Sequence, residues 1–459
     1  VAACAVRIPV VKSAHMLKRA AKLRTIMVAA VVLAALTQLA DPRMALARAG
    51  GGGSSSDSSS SSSDSFSSGS SRERRGSAAG ALAGGINLPP WTAIPILISI
   101  PLLVFLLNKA MQAEARRQEQ KRKELAAGLA AAAAADPSWQ PSEIEKRAGE
   151  VFLAFQKAWG ELDTETMRGL LTKAYLGRMV LELSVLKNLG RRNLMENVQL
   201  MPPQIIDFHD DADDAKDRVT LLMRATAKDT IMDVESGSPL HVDTSSFREY
   251  WDFAREDGVW KLDVIRQSTE SRRLTEGPIA AFAARNGFFF DPDFGWLMLP
   301  AKGVLFGKSR FGTADVNNHV IGYYRNKIVE FYTYIPDKEE KDPKNYVVAQ
   351  AILPISYRDI LIRKKTKGLW FASKPAGLRQ MSLEFGDFNE KFEVFAHPED
   401  QINSLELLTP NFMLKIYDLP YTLNIELVGN TLYLYTLQRD VSFDRMLEIL
   451  SWAFDEMKM

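Results

Sequence analysis

Between Ser142 and Ile265 the apolar residues change period, and that change constrains the fold more than any other feature of the chain. Ile144, Ala148, Val151, Phe152, Phe155, Ala158, Trp159 and Leu162 recur at spacings of three and four, as on a helix with one apolar face. Pro141-Ser142-Glu143-Ile144-Glu145 predicts its start, with Ser142 as N-cap and Glu145 reaching back. Asp163 is expected to cap a second helix, whose Met167, Leu170, Leu171, Leu176, Met179, Leu183 and Leu186 serve the same core. Past Gly190 the pattern changes to strands, at 198–200, 205–208, 219–223, 247–253 and 259–264, with Glu256-Asp257-Gly258 turning the last pair. Helices followed by hairpin-linked strands read as an α+β domain with its helices on one face of an antiparallel sheet.

The same residues carry a resemblance. Phe152-Leu153-Ala154-Phe155-Gln156-Lys157-Ala158-Trp159 is followed by Asp163, Leu170-Leu171 and Asp229. Then come Phe247-x-Glu249-x-Trp251-x-Phe253-x-Arg255 and Trp260-x-Leu262-x-x-Ile265. This resembles the Tim forty-four-like domain family, that of the membrane-tethering subunit of the mitochondrial presequence translocase and its bacterial relatives. The resemblance covers residues 142–267, and its most specific piece is the aromatic strand 247–255. It implies a cone-shaped helix-on-antiparallel-sheet fold related to nuclear transport factor two. It also implies membrane association and a binding or tethering role in place of a reaction.

Fold alone assigns no function, so side chains must be weighed one by one. Phe155, Trp159, Trp251, Phe253 and Trp260 either line a pocket or fill the core. Glu249 shares a strand face with Trp251 and Phe253 and would point inward with them. There it would be a carboxylate with a raised pKa, or one paired at the rim with Arg248 or Arg255. With no histidine or second carboxylate in register, no catalytic residue is assigned.

Ahead of this domain the chain reads as an address and an anchor. Lys12, Lys18, Arg19, Lys22 and Arg24 precede an apolar run at 25–36 and a small-x-small site at Ala45-Leu46-Ala47, so residues 1–47 are expected to be a signal segment. The chain begins at Val1, and Met16 stands where a start would suit that signal. Residues 48–88 are rich in Gly and Ser and are expected to form a disordered linker. The run 91–107 carries no charge and, as a helix rising about 1.5 Å per residue, would be roughly 26 Å long, enough for a thin bilayer. A transmembrane helix is therefore expected over 89–108, with Trp91 at the interface. Lys109, Arg116, Arg117, Lys121, Arg122 and Lys123 follow, and the positive-inside rule puts this side in the cytoplasm or stroma, of a bacterial inner membrane or a plastid membrane. These six residues are the expected contact with anionic lipid. Residues 109–138 are expected to form a basic, Ala-rich stalk helix that leads into the domain at 139–270.

A second, strand-rich α+β domain of no assigned activity is expected over 280–459, with strands at 320–324, 328–334, 346–349, 360–362, 392–395, 423–427 and 432–435. Gly429-Asn430 is expected to turn the last two into a hairpin, and Ser442 to start a closing helix with Phe443, Met446, Leu447, Leu450 and Phe454 on one face. Gly303-Val304-Leu305-Phe306-Gly307-Lys308-Ser309 ends like a phosphate-binding loop, but it has one residue too few between its glycines. His15, His209, His241, His319 and His397 stand alone in sequence, and the single cysteine, Cys4, excludes an internal disulfide and a thiolate metal site. The run Asp210-Asp211-Ala212-Asp213-Asp214 lacks the glycine and distal glutamate of a calcium loop and reads as a solvated turn. Arg363-Lys364-Lys365 with Lys367 reads as a solvated basic loop. A net charge of +1 supplies no general attraction to nucleic acid. The reading is thus a membrane-anchored, non-catalytic tether for a protein partner, with no cofactor, no metal and no nucleic acid. The alternative is a protein that binds lipid or another hydrophobic ligand in the cone, and an enzyme on that cone comes last.

Overall fold

The computed structural model describes residues 90–266, 277–291, 297–300, 302–307, 311, 313–365, 375–398, 408–437 and 441–456; its described side chains begin at Phe105 and omit Leu107. The segments read as signal (1–47) and linker (48–88) lie outside the described residues. Every described element belongs to one unit, Ala45–Met459. The architecture is α+β, with two antiparallel sheets.

The first helix, α1, runs Pro90–Ala135, 46 residues or roughly 69 Å at about 1.5 Å per residue. Among the described residues no helix is long and apolar enough to cross a membrane. The side chains at 90–104, most of the expected span, lie outside the described ones, and the backbone there is helical. A 3₁₀ turn at Pro137–Trp139 leads into α2, Pro141–Glu161. The expected capping box at Ser142 and Glu145 does not form. Gln140 holds the N-cap position without a side-chain bond, because Pro141 starts the helix one residue earlier and needs no acceptor. Asp163 does cap, accepting from the Glu165 and Thr166 amides, but the helix it starts is short: α3, Thr164–Arg168. The expected single second helix is broken at 169–172. There Gly169 and Leu170 turn, Leu171 bridges Leu262, and Thr172 then caps α4, Lys173–Asn188.

The first sheet is built around one long strand. The strands are β1 (Arg191–Leu200), β2 (Gln204–His209), β3 (Arg218–Asp233), β4 (Pro239–Asp243), β5 (Ser246–Glu256) and β6 (Val259–Arg266). β1 and β2 lie end to end along one edge of β3, and β4 and β5 along the other, with β6 outside β5. Asp257 and Gly258 both take positive φ, which gives the β5–β6 turn the twist a two-residue hairpin needs.

The second sheet follows α5 (Pro278–Asn286) and consists of β7 (Phe289–Asp291), β8 (Asp315–Tyr324), β9 (Lys327–Ile335), β10 (Tyr346–Lys364), β11 (Arg379–Met381), β12 (Phe392–Ala396) and β13 (Asn424–Thr436). Helices α6 (Gly386–Lys391), α7 (Pro410–Tyr417) and α8 (Phe443–Glu456) complete it. The expected strands 346–349 and 360–362 are parts of the one strand β10. The expected hairpin at Gly429-Asn430 is absent. Both halves of β13 run antiparallel to β10, from Ile425 opposite Ile362 to Thr436 opposite Val347. The register shifts between Ile352 and Tyr357 and between Tyr357 and Ile360, where the extra residues lie on β10, and opposite them Gly429, at φ +58°, sits within a strand that continues without reversing. Ser442 does cap α8, accepting from the Arg445 amide.

One face of the second sheet, with Phe331, Ala349, Ile362 and Leu434, packs on α5, α7 and α8. The other face carries Ile321, Tyr332, Tyr334, Val348, Tyr433 and Tyr435, and it belongs to the same apolar cluster as α2–α4 and the inner face of the first sheet. The two sheets therefore share a core.

Candidate functional site

The aromatic residues of the first domain pack ring against ring. Trp251 lies 5.0 Å from Phe152, 5.8 Å from Phe155 and 6.4 Å from Phe253 between ring centres, and Phe155 lies 6.1 Å from Trp159. Phe155, Trp159, Glu249, Trp251 and Phe253 are all within 1% of full burial. Indoles are buried at low cost only when the N–H finds an acceptor, and each of these does. Trp251 Nε1 donates to Glu249 at 2.8 Å, and Trp159 Nε1 donates to Asn193 Oδ1 at 3.2 Å. Asn193 in turn donates to Asp229, so a polar chain runs from α2 through β1 to β3. The expected rim pairing of Glu249 with Arg248 or Arg255 does not occur: Arg248 is exposed on the opposite strand face, and Arg255 is engaged elsewhere.

The engagement of Arg255 defines the best-built polar site, where α1 joins the domain. Its guanidinium meets Asp136, Asp214 at 3.3 Å and Asp217 at 3.2 Å. Asp136 follows α1 directly and also accepts from Ser138, through the backbone N–H at 2.9 Å and through Oγ at 2.7 Å. These Ser138 bonds, helped by Arg255, pull the Asp136 carboxyl down to about 2. Trp139, fully buried, stands edge-on to Trp260 at 4.9 Å and to Phe208 at 5.5 Å. Trp260 Nε1 donates to the Ser138 carbonyl at 3.0 Å. Leu129 and Ala132 of α1 are buried, and Gly128 admits Phe208 so closely that a Cβ there would stand 2.9 Å from its ring. The stalk expected over 109–138 is thus free only in its first half; its last turns are part of the domain core.

Along that free half, Lys109, Arg116, Arg117, Lys121, Arg122 and Lys123 are all exposed. Lys109, Arg116 and Lys123 share one line of the helix, and the other three turn away from it, so the collar is basic on every side. Lys123 pairs with Glu119 at 3.7 Å, a solvated pair of small energetic weight. Below Arg255, an open cleft of about 510 Å³ is lined by Thr172, Arg218, Arg255, Glu256, Asp257 and Asp263 among others. Its lining mixes charged side chains with alanines and does not include the aromatic set.

A second polar cluster lies buried between α4 and the second sheet. Arg178 binds Glu182 at 2.7 Å and Asp291 of β7. His319 Nε2 meets Glu330 at 2.9 Å across the β8–β9 hairpin, Gln350 donates to Glu330, and the Tyr332 hydroxyl donates to Gln350 at 2.7 Å. Burial pushes the Glu182 carboxyl up, and Arg178 opposes that. His319, isolated in sequence, therefore has a carboxylate partner that only the hairpin register reveals. Among the described residues no group of three or more His, Cys, Asp or Glu could hold a metal ion. The acidic run at 210–214 is the exposed turn expected of it, and its Asp214, with the buried Asp217 beyond the run, also holds Arg255.

Residues 125–267 match the family model of the Tim44-like domain. The match begins inside α1, at the turns that dock, and not at 142 where the sequence pattern becomes visible. None of the curated proteins compared matches the chain. Among solved structures, the mycobacterial trehalose monomycolate transport factor A aligns at a TM-score of 0.28 and 13% identity, over 39% of this chain and 89% of that one. The intermembrane space region of the chloroplast protein ARC6 aligns at 0.22 and 15%, over 27% of this chain and 97% of that one.

Proposed function

We propose that this chain, with a Tim44-like domain at residues 125–267, is a membrane-anchored, non-catalytic binding protein. It tethers a protein partner beside the bilayer, in protein translocation or in assembly of a membrane complex. One observation carries the reading: a single helix, Pro90–Ala135, begins in an uncharged run, continues through the basic collar and ends inside the domain core. The uncharged run is the single span, and the collar meets anionic headgroups at roughly 1 kcal/mol per basic residue near the surface. By the positive-inside rule the folded part then lies on the cytoplasmic or stromal side. The resemblance adds the cone-shaped, nuclear transport factor two-like fold and the binding role. The lipid-binding alternative needs an aromatic-lined cavity, and Phe155, Trp159, Trp251 and Phe253 are occupied with one another.

Two measurements on the full chain in its own membranes test the proposal. Alkaline carbonate should leave the chain in the pellet, and release into the supernatant would remove the span. Photo-crosslinkers at the exposed Leu153, Ile206 and Val259 should give a discrete protein adduct from at least one position. Adducts to lipid alone, or none, would remove the tether.

A further inference from the structure

The outward face of the first sheet carries two cations set against each other. Arg224 of β3 stands directly opposite Arg248 of β5. Their sequence neighbours Met223, Ala225, Phe247 and Glu249 are buried beneath the sheet, so strand alternation turns both arginines the other way. Opposed side chains on one face have Cβ atoms about 4.5–5.5 Å apart, and like charges so placed repel. Among the described residues neither guanidinium has a hydrogen bond or an ion pair, and Arg224 Nε is closed off from water with no acceptor. Two acids of the same face are committed elsewhere: Asp252 to Arg266 at 2.5 Å and to Thr220 at 2.6 Å, and Glu196 to Lys228 at 2.9 Å.

The arginine pair is bordered differently on its two sides. Toward one end of β3, Thr226 stands opposite Ser246 on β5 and Gln199 on β1, three side chains that hydrogen-bond. Toward the other, Leu222 stands opposite Tyr250, and both are half-buried. Beside Arg224, Met201 donates its amide to the Arg224 carbonyl at 2.9 Å and is itself exposed.

We propose that this strip receives an acidic, partly apolar peptide segment of a partner protein. One carboxylate of the segment lies between Arg224 and Arg248, whose planar forks match carboxylate geometry. A neighbouring apolar side chain covers Leu222, Tyr250 and Met201. Such a segment belongs to the partner that the tether reading requires, and the assignment depends on that reading. Charge complementarity selects a peptide over a bilayer. Glu196, Asp207 and Asp252 share the face and would repel a continuous anionic surface, whereas a single carboxylate reaches the pair between them. The free chain bears the repulsion that a bound carboxylate removes, so binding and stability pull in opposite directions at Arg248.

Fluorescence anisotropy of the full chain in detergent micelles tests this, with a labelled peptide of Glu, Leu and Ser as probe. The peptide should bind. Arg248→Ala, and separately the exchange of each Glu in the peptide for Gln, should weaken binding about ten- to hundredfold, the loss of charge-assisted hydrogen bonds. Arg248→Lys should recover only part of it, because a point charge lacks the fork. The urea midpoint of Arg248→Ala should equal or exceed that of the wild type, and a fall would make Arg248 a structural residue and overturn the site. A peptide that does not bind, or binds equally as its Gln form or to Arg248→Ala, would also overturn it. So would binding of inorganic phosphate or of phosphatidylglycerol vesicles that depends on Arg248 where the peptide fails, since the occupant would then be a free anion or a lipid headgroup. A photo-crosslinker at Met201, in the chain's own membranes, separates this from failure of the tether. It should give a protein adduct that Arg248→Glu abolishes. Protein adducts from Leu153 or Val259 with none from Met201 would leave the tether standing and remove this face.

Discussion

At the scale of single residues, the polar atoms that matter are those buried beside the aromatic core. Asn193 accepts from the buried Trp159 indole and donates to the half-buried Asp229, so it satisfies the indole N–H and ties it to a carboxylate on β3. Asn193→Leu keeps the volume and removes both bonds. The expected cost is about 1–3 kcal/mol, the desolvation of partners left behind, read as a fall in the urea midpoint at constant slope. Asp136 is the acid-side counterpart. Its folded pKa, about 2, lies below the ordinary value of 3.8, so its contribution is present above 3.8 and lost as pH falls toward 2. Urea titrations of wild type and Asp136→Asn should therefore differ most at pH 5 and draw together as pH falls from 3.8 to 2. A gap as large at pH 2 as at pH 5 would mean that packing, not charge, holds the α1 junction.

At the scale of elements, close approach decides what each position tolerates. Gly322 of β8 lies under Phe288, and a Cβ there would meet the ring at 2.1 Å. Phe288 is itself buried and stacks against Phe331, so the ring has little room to yield. Gly322→Ala should cost about 1–3 kcal/mol by overpacking. Phe288→Leu in the same chain should recover part of that, and strict additivity in the double-mutant cycle would deny the contact. The legible elements were those whose signal is local. The β5–β6 hairpin was readable because Asp257-Gly258 is a turn pair between two alternating aromatic runs. Helix α8 was readable from its cap and its apolar face. β13 was misread because a glycine-asparagine pair signals a turn by itself, and only the register with β10 shows that the strand runs on. β4 gave no signal, since its five residues begin at Pro239 and bury little. Asn193 went unseen because Arg191-Arg192-Asn193 looks like surface until β1 is paired with β3. The docking of α1 was hidden for the same kind of reason: an Ala-rich helix has no distinct apolar stripe, and Gly128 reads as a weakness until Phe208 is placed against it.

At the scale of the whole molecule, the two sheets share one apolar cluster, and buried polar ties cross the joint. Arg178 of α4 reaches Asp291 of β7, Asn188 of α4 donates to Thr431 of β13 at 3.2 Å, and Asn430 donates back to Asn188 at 2.6 Å. A joint of this kind makes unfolding cooperative, because separating the halves exposes apolar surface and strands buried charge. Asp291→Ala is the direct probe. It leaves Arg178 buried with Glu182 as its remaining carboxylate partner in that cluster, and removing one member of such a buried set costs about 3–5 kcal/mol. The informative quantity is where that loss appears. If the sheets form one cooperative body, exchange protection falls equally in β5, which carries Trp251, and in α8, which carries Trp452, and thermal unfolding stays a single transition moved to lower temperature. If instead the second sheet loosens while β5 keeps its protection, the sheets unfold separately and the shared core is only a contact. Cooperative loss would also fix what a truncation can test, because a chain cut before the second sheet would expose the tyrosine-facing side of the core and report on that exposure, not on the binding of a partner.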